Sequence, residues 1–118
     1  MLDLAKIKAF TTPKETKRYF IAGEYQDVVL SVIPDNVMLQ ISMMDQYNDK
    51  IEIINIALQY ILNISKDDVN MILSKDFSAA MKIFLDGKNL SVEWAEKRAE
   101  EREKAEKNLK AVQMNTPN

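Results

Sequence analysis

The segment from residue 51 to residue 64, IEIINIALQYILNI, decides the fold of this 118-residue chain. Its four polar residues recur at spacings of three, four and four, so they follow one narrow stripe along an α-helix, and apolar residues cover the rest of the circumference. These polar residues are Glu52, Asn55, Gln59 and Asn63. Because a helix this apolar must be surrounded, we expect it to be the central helix of a compact domain, or to have one face covered by a second protein.

Upstream of this segment, residues 17–33 are rich in Tyr, Phe, Val and Ile and predict a β-hairpin. The runs KRYFIA and YQDVVLSVI flank Gly23 and Glu24. We assign these two residues to a type II′ turn with Gly23 at positive φ. The preceding residues 1–10 permit a short helix that ends before Pro13.

Short helices are predicted on both sides of the apolar segment. Pro34 ends the hairpin. Asp35 or Asn36 is a suitable N-cap for the helix that follows, which continues to about Tyr47. After the apolar segment, Ser65 and the aspartate three residues later form a capping box that begins another short helix.

The end of the chain changes character at residue 91. A fourth short helix begins at Asp76 or Ser74 and is closed by Gly87 in the left-handed C′ position, and Ser91 then caps a final helix. Residues 93–110 contain six acidic and six basic residues, many in the favourable i,i+4 order. The sequence therefore predicts a mostly α-helical α+β fold. In it a β-hairpin packs on about four short helices in residues 1–90, and residues 91–118 form a charged helix with a frayed tail.

Composition excludes several kinds of site. The chain has no cysteine and no histidine, which excludes disulfides, thiolate metal sites and histidine-based acid–base catalysis. With glycine at only two positions it has no phosphate-binding loop and no dinucleotide fingerprint. The acidic residues Asp45, Asp49 and Glu52 form a spaced set, and residues 45–49, DQYND, superficially resemble a calcium loop, but the glycine at its sixth position and the glutamate at its twelfth are missing. We therefore expect no enzyme activity, no cofactor and no metal ion.

Charge and hydropathy point away from nucleic acid and membrane partners. The net charge is −2, and no run reaches the roughly 18 to 20 apolar residues that span a bilayer. Residues 1–10 also lack the basic and apolar regions of a secretory signal, so we expect a cytoplasmic protein. The basic residues Lys14, Lys17 and Arg18, beside two aromatic residues, keep one alternative open, a small regulatory or nucleic-acid-associated protein.

Methionines supply the candidate interaction surface. Methionine is flexible and polarisable, so it suits either the filling of core gaps or a surface that accepts varied partners. We expect Met71 and Met81 to be core residues. Met43 and Met44 are adjacent on a helix and differ by about 100° in direction, so one of them should lie near the domain edge. The predicted protein-binding residues are Met38, Met43, Met44 and Tyr47.

The order of these elements resembles that of the tail assembly chaperones of long-tailed bacteriophages. The resemblance covers residues 17–90 and includes the hairpin sequence YFIAGEY at residues 19–25 and the Pro-Asp-Asn sequence at residues 34–36. It implies a non-catalytic protein of the host cell cytoplasm that coats the tape measure protein, the long helical protein around which the tail tube polymerises. A holdase of this kind needs exposed apolar surface, solubilising charge and self-association, so we also expect a homo-oligomer.

Overall fold

The computed structural model describes residues 1–45 and 50–114. The fold is the predicted mostly helical α+β fold, in which an N-terminal antiparallel hairpin packs against short helices and a long C-terminal helix follows. Its elements are α1 (Leu4–Ala9), β1 (Lys14–Ile21), β2 (Glu24–Ser31), α2 (Asp35–Met44), α3 (Lys50–Leu62), α4 (Lys66–Lys75) and α5 (Phe77–Met114). The molecule is elongated, with extents of 69 × 33 × 24 Å, because α5 alone is about 57 Å long at 1.5 Å per residue.

The hairpin turn lies one residue earlier than the sequence predicts. Ile21 pairs with Glu24, so the turn residues are Ala22 and Gly23 rather than Gly23 and Glu24. Both have positive φ, +52° and +87°. Positive φ at both central residues is the property of a type I′ turn, whose twist matches that of the flanking strands. The predicted type II′ assignment is therefore wrong, although the hairpin itself is confirmed.

Helix α3 is the centre of the core, as predicted. Ala57, Leu58 and Ile61 are at most 1% exposed, and α3 packs against β2 and the three helices α2, α4 and α5. The helix is not surrounded along its whole length, however, because Ile51 at its start is 71% exposed and Tyr60 near its end is 44% exposed.

Part of the polar stripe on α3 is buried between helices. Asn55 is only 2% exposed. Its amide nitrogen donates to Asn70 Oδ1 of α4 over 2.6 Å, and its oxygen accepts from Gln59 Nε2 over 2.7 Å. Because each partner satisfies a polar group that burial would otherwise leave unpaired, the stripe fixes the position of α4 on α3.

Helix α5 is continuous through the region where the sequence predicts a break. Gly87 is not a C′ residue, because it lies inside α5 against α3, and a Cβ added to it would lie 2.5 Å from Ile61 Cδ1. Ser91 is not an N-cap either. Its Oγ donates to the Gly87 carbonyl over 2.8 Å and accepts from the Ile33 amide over 2.9 Å. The boundary predicted between residues 90 and 91 stays a prediction and falls within this helix.

Two of the predicted helix starts are confirmed. Ser65 Oγ accepts from the amide of Asp68 over 3.2 Å at the start of α4. Asp76 precedes α5, and its carboxylate accepts from the amides of Ala22 and Ala79 over 3.0 and 3.1 Å. These hydrogen bonds, that from Ala22 first, hold the pKa of Asp76 below its ordinary value. One carboxylate thus caps α5 and ties the hairpin turn to it.

Helix α2 is held at its start by an ion pair rather than by the predicted cap. Pro34 occupies the N-cap position, and Asp35 is the first helical residue. The guanidinium of Arg98 donates from Nη1 and Nη2 to the two carboxylate oxygens of Asp35 over 2.8 and 2.7 Å. These hydrogen bonds lower the pKa of Asp35 and raise that of Arg98. Such a bidentate pair constrains orientation as well as distance, and it ties the start of α2 to α5.

Candidate functional site

An open apolar groove of about 440 Å³ lies between α2, α3 and α5. Among the described residues, eight apolar ones from the three helices and from the end of the hairpin line it, namely Ile33, Met38, Ile41, Ile53, Ile54, Ala57, Met81 and Phe84. The polar lining residues are Ser42, Asp45, Lys50 and Lys88. Its size and composition are those of a site that takes apolar side chains and orients them with a few charges at the edge.

Helical periodicity puts these side chains in the groove. Met38 and Ile41 are three residues apart on α2, and Met81 and Phe84 are three apart on α5, so each pair shares one helix face. Lys88 continues the α5 row four residues after Phe84. Met38, Met81 and Phe84 are only partly buried, so flexible or aromatic side chains are presented at the groove instead of being sealed in the core.

The structure places one of the predicted protein-binding residues in the groove. Met38 lines it, whereas Met43 and Met44 lie further along α2 and are not among its lining residues. Met43 is 59% exposed and Met44 is half-buried, so one of the two adjacent methionines, Met43, lies at the domain edge as predicted. Tyr47 lies outside the described residues. Of the predicted protein-binding residues, Met38 is therefore accessible at the groove and Met43 is accessible on the exposed face of α2.

Sequence reasoning missed the contribution of α5 to the groove. Met81, predicted as a core residue, is half-buried and lines the groove beside Phe84. The methionine prediction is wrong for Met71, which is 54% exposed because α4 buries only Val69. The signal available was the i,i+3 spacing of Met81 and Phe84, which the sequence alone does not distinguish from a row of core residues.

Three charged residues stand at the edge of the groove. Asp45, Lys50 and Lys88 line it, and none of them forms an ion pair with another described residue. A charge without a protein partner at the rim of an apolar site is available to a ligand, and its contribution is mainly to orientation and association rate. In the described ranges 1–45 and 50–114, the groove therefore offers apolar burial with two cations and one anion beside it.

The basic residues of the hairpin are largely paired within the protein. Lys17 Nζ lies 3.6 Å from Asp86 Oδ2, and Arg18 Nε donates to Asp27 Oδ1 over 3.3 Å. Tyr19 is buried, and its hydroxyl donates to Asp86 Oδ2 over 2.6 Å. Burial, followed by this hydrogen bond, raises the pKa of Tyr19 above its ordinary value. Lys17 and Arg18, two of the three cations on which the nucleic-acid alternative depends, therefore each have a carboxylate partner within the protein.

The part of the chain that the structure describes contains no group of three or more acidic side chains that could hold a metal ion. Asp49, from the candidate calcium loop, lies outside it. In the same residues, no helix has the length and apolar character needed to cross a membrane. Comparison with protein-family models, with curated proteins and with solved structures gives no significant match to this chain. Function is therefore inferred from the groove and its surroundings.

Proposed function

We propose that this protein is a non-catalytic tail assembly chaperone of a long-tailed bacteriophage. It binds the tape measure protein in the host cytoplasm and keeps that protein soluble until the tail tube forms around it. The observation that carries the proposal is the apolar groove between α2, α3 and α5. A long helical client that is rich in apolar residues needs such surfaces to cover it before the tube does.

The groove suits a client of repeated but variable sequence. Met38 and Met81 stand on opposite walls, on α2 and α5, and methionine adapts to different side chains at little cost. Burial of one Leu- or Phe-sized anchor contributes about 1.5–3 kcal/mol, so a single groove binds weakly. A row of chaperones along one client would gain affinity through multivalency, which is why the proposal includes self-association.

The second half of α5 supplies the solubilising charge. Residues 99–111 are all exposed, and they carry most of the paired charges predicted from the sequence. Lys107 Nζ lies 3.1 Å from Glu103 Oε1 one helical turn away, a pair of the kind that stabilises a solvated helix. A charged rod that leaves the body of the protein would keep a chaperone-coated client dispersed.

A groove-filling variant tests the proposal. Ser42 is exposed and lines the groove, so Ser42→Trp adds bulk there without entering the core. Ser78→Trp is the matched control, because Ser78 is an exposed serine on α5 that is not among the groove residues. With a purified tape measure fragment as bait, Ser42→Trp should lose at least about tenfold in affinity, whereas Ser78→Trp should bind as the wild type does. Equal binding by both folded variants would remove the groove from the proposal.

A second pair of variants tests the exposed face of α2. Met43→Asp places a charge on the predicted interaction surface, and Met71→Asp is its control, because the two methionines are 59% and 54% exposed on different helices. We expect Met43→Asp to weaken capture of the same fragment and Met71→Asp to leave it unchanged. If neither substitution changes capture, the client contacts the groove alone.

A further inference from the structure

One face of α5 holds several separate parts of the protein. Four residues that follow one another at spacings of four, three and four share this face, namely Gly87, Ser91, Trp94 and Arg98. Gly87 lies against α3, Ser91 holds the end of the hairpin, and Arg98 holds the start of α2. The contact of Trp94 is with the N-terminal segment, because the Phe10 ring just after α1 meets the Trp94 ring at a centroid distance of 5.9 Å.

The last two contacts join into one row of side chains. Trp94 precedes Arg98 by four residues, and Arg98 Cζ lies 5.5 Å from the centroid of the Trp94 ring. The same guanidinium donates to both carboxylate oxygens of Asp35. The Trp94 row, defined here as Phe10, Trp94, Arg98 and Asp35, thus runs from the segment before the hairpin to the start of α2.

Shielding from water determines how strongly the ion pair in this row holds α2. The Asp35 side chain is 72% exposed, whereas that of Arg98 is 23% exposed. An ion pair in open water contributes little, and its strength rises as water is removed from it. Arg98 Nε is buried and has no hydrogen-bond partner among the described residues, so the guanidinium is shielded there without a second acceptor. The neighbouring Trp94 ring attracts the cation through its face and keeps water from it.

Helix α2 has few other attachments near its start. It buries one residue, Val37, and its N-cap residue Pro34 makes no side-chain hydrogen bond. Met38 and Ile41, which form its wall of the groove, lie within two helical turns of Asp35. A change in the position of Asp35 is therefore transmitted to this wall.

We propose that Phe10 and Trp94 are positioning residues of the groove. The Phe10 ring covers Trp94, the Trp94 ring keeps Arg98 paired with Asp35, and this pair keeps α2 where it forms the groove wall. The N-terminal segment, whose helix α1 buries no residue, thereby acts on a site that it does not line. The inference rests on the proposed function only in taking the groove as the client site, because the contacts themselves need no client.

Hydrogen exchange of the full chain, measured by mass spectrometry without any client, tests this coupling. Phe10→Ala should speed amide exchange in α2 about fivefold, the factor that an aromatic pair of this kind contributes, and should leave α4 unchanged. Phe10→Tyr keeps the ring and should exchange as the wild type does. Leu4→Ala is the matched control, because Leu4 is 62% and Phe10 59% exposed, and it should also leave α2 unchanged. Trp94 is the only tryptophan, so a red shift of its fluorescence in Phe10→Ala reports loss of the ring contact.

A double variant separates positioning from independent packing. Asp35→Asn removes the charge that Arg98 binds and should speed exchange in α2 at least as much as Phe10→Ala does. If Phe10 acts through this pair, Phe10→Ala causes no further increase in the Asp35→Asn background. The proposal would be overturned by two increases that multiply, by equal acceleration in α4, or by exchange in α2 that stays at the wild-type rate in Phe10→Ala.

Capture of the tape measure fragment is measured separately. Phe10→Ala should weaken it by about the factor seen in the exchange of α2, and Phe10→Tyr should restore it. Faster exchange in α2 with unchanged capture would show that these residues do not position a client site. If the wild type binds no fragment at all, the proposed function fails, while the exchange results still decide whether Phe10 and Trp94 position α2.

Discussion

Substitution of Gly87 by alanine should destabilise this protein, although the same change in most helix interiors is stabilising. An added Cβ would lie 2.5, 2.7 and 2.7 Å from Cδ1, Cγ1 and Cγ2 of Ile61. Ile61 is fully buried, and its branched side chain has little rotational freedom. It therefore cannot move aside without displacing the rest of the core.

The expected magnitude follows from two opposing terms. Alanine gains about 1 kcal/mol over glycine in a helix interior, whereas overpacking a core costs about 1–3 kcal/mol. With three side-chain carbons closer than ordinary contact, we place the cost of Gly87→Ala near the top of that range. The net loss is then about 2 kcal/mol, or about 8 °C in melting temperature at roughly 4 °C per kcal/mol for a domain of this size.

A double-mutant cycle with Ile61→Ala isolates this contact. Ile61→Ala removes the three carbons that meet the new Cβ and costs about 2–5 kcal/mol by itself. In that background Gly87→Ala should stabilise the protein by about 1 kcal/mol, because only the helix-propensity term remains. Urea denaturation followed by circular dichroism measures all four proteins. If Gly87→Ala stabilises the protein equally in both backgrounds, α3 and α5 are not in the close contact on which the continuous α5 depends.

Three further changes have outcomes that the hydrogen bonds determine. Ser91→Ala leaves the buried Ile33 amide without its acceptor and should cost about 1–3 kcal/mol in urea denaturation. Hydrogen bonds from the hairpin turn and then from α5 lower the pKa of Asp76. Its contribution to stability is therefore present above its unfolded pKa of about 4 and is lost as the pH falls through its lower folded pKa. Asp76→Asn should make the stability of the protein depend less on pH in this acidic range. Burial and the hydrogen bond to Asp86 raise the pKa of Tyr19, so the contribution of Tyr19 to stability is fully present below about pH 10 and is lost as the pH rises above it. Tyr19→Phe should remove this loss of stability at alkaline pH and should cost about 1 kcal/mol at neutral pH.

Periodicity in the sequence was sufficient for the central helix and the hairpin. The stripe of polar residues at helical spacing predicts α3, and the β-rich runs on either side of Gly23 predict β1 and β2. The turn was misplaced by one residue because Ala22 adopts a positive φ of 52°. Alanine rarely occupies this region, so the residue type at position 22 gives no indication of a positive φ. Local patterns thus fix the elements here, and tertiary contacts fix the details of their ends.

The end of the fourth helix was misassigned because glycine has two uses in helical proteins. Gly87 followed by Ser91 has the residue types of a C′ position and a new N-cap. In the folded chain both serve contacts between elements distant in sequence. Gly87 allows α3 to approach α5, and Ser91 satisfies a backbone amide at the end of the hairpin. A glycine that permits close packing and one that ends a helix differ only in what faces them, which a single sequence does not contain.

The groove could not be predicted from the sequence for the same reason, because its three walls come from separate parts of the chain. On one side, Gly87 brings α5 against α3. On the other, Arg98 of α5 holds Asp35 at the start of α2, and Ser91 holds Ile33 just before it. These contacts lie on one continuous helix, spaced over three turns, so α5 acts as the rigid frame on which both other walls are set. Gly87, Ser91 and Arg98 therefore help to set the shape of the groove, although none of the three is among its lining residues.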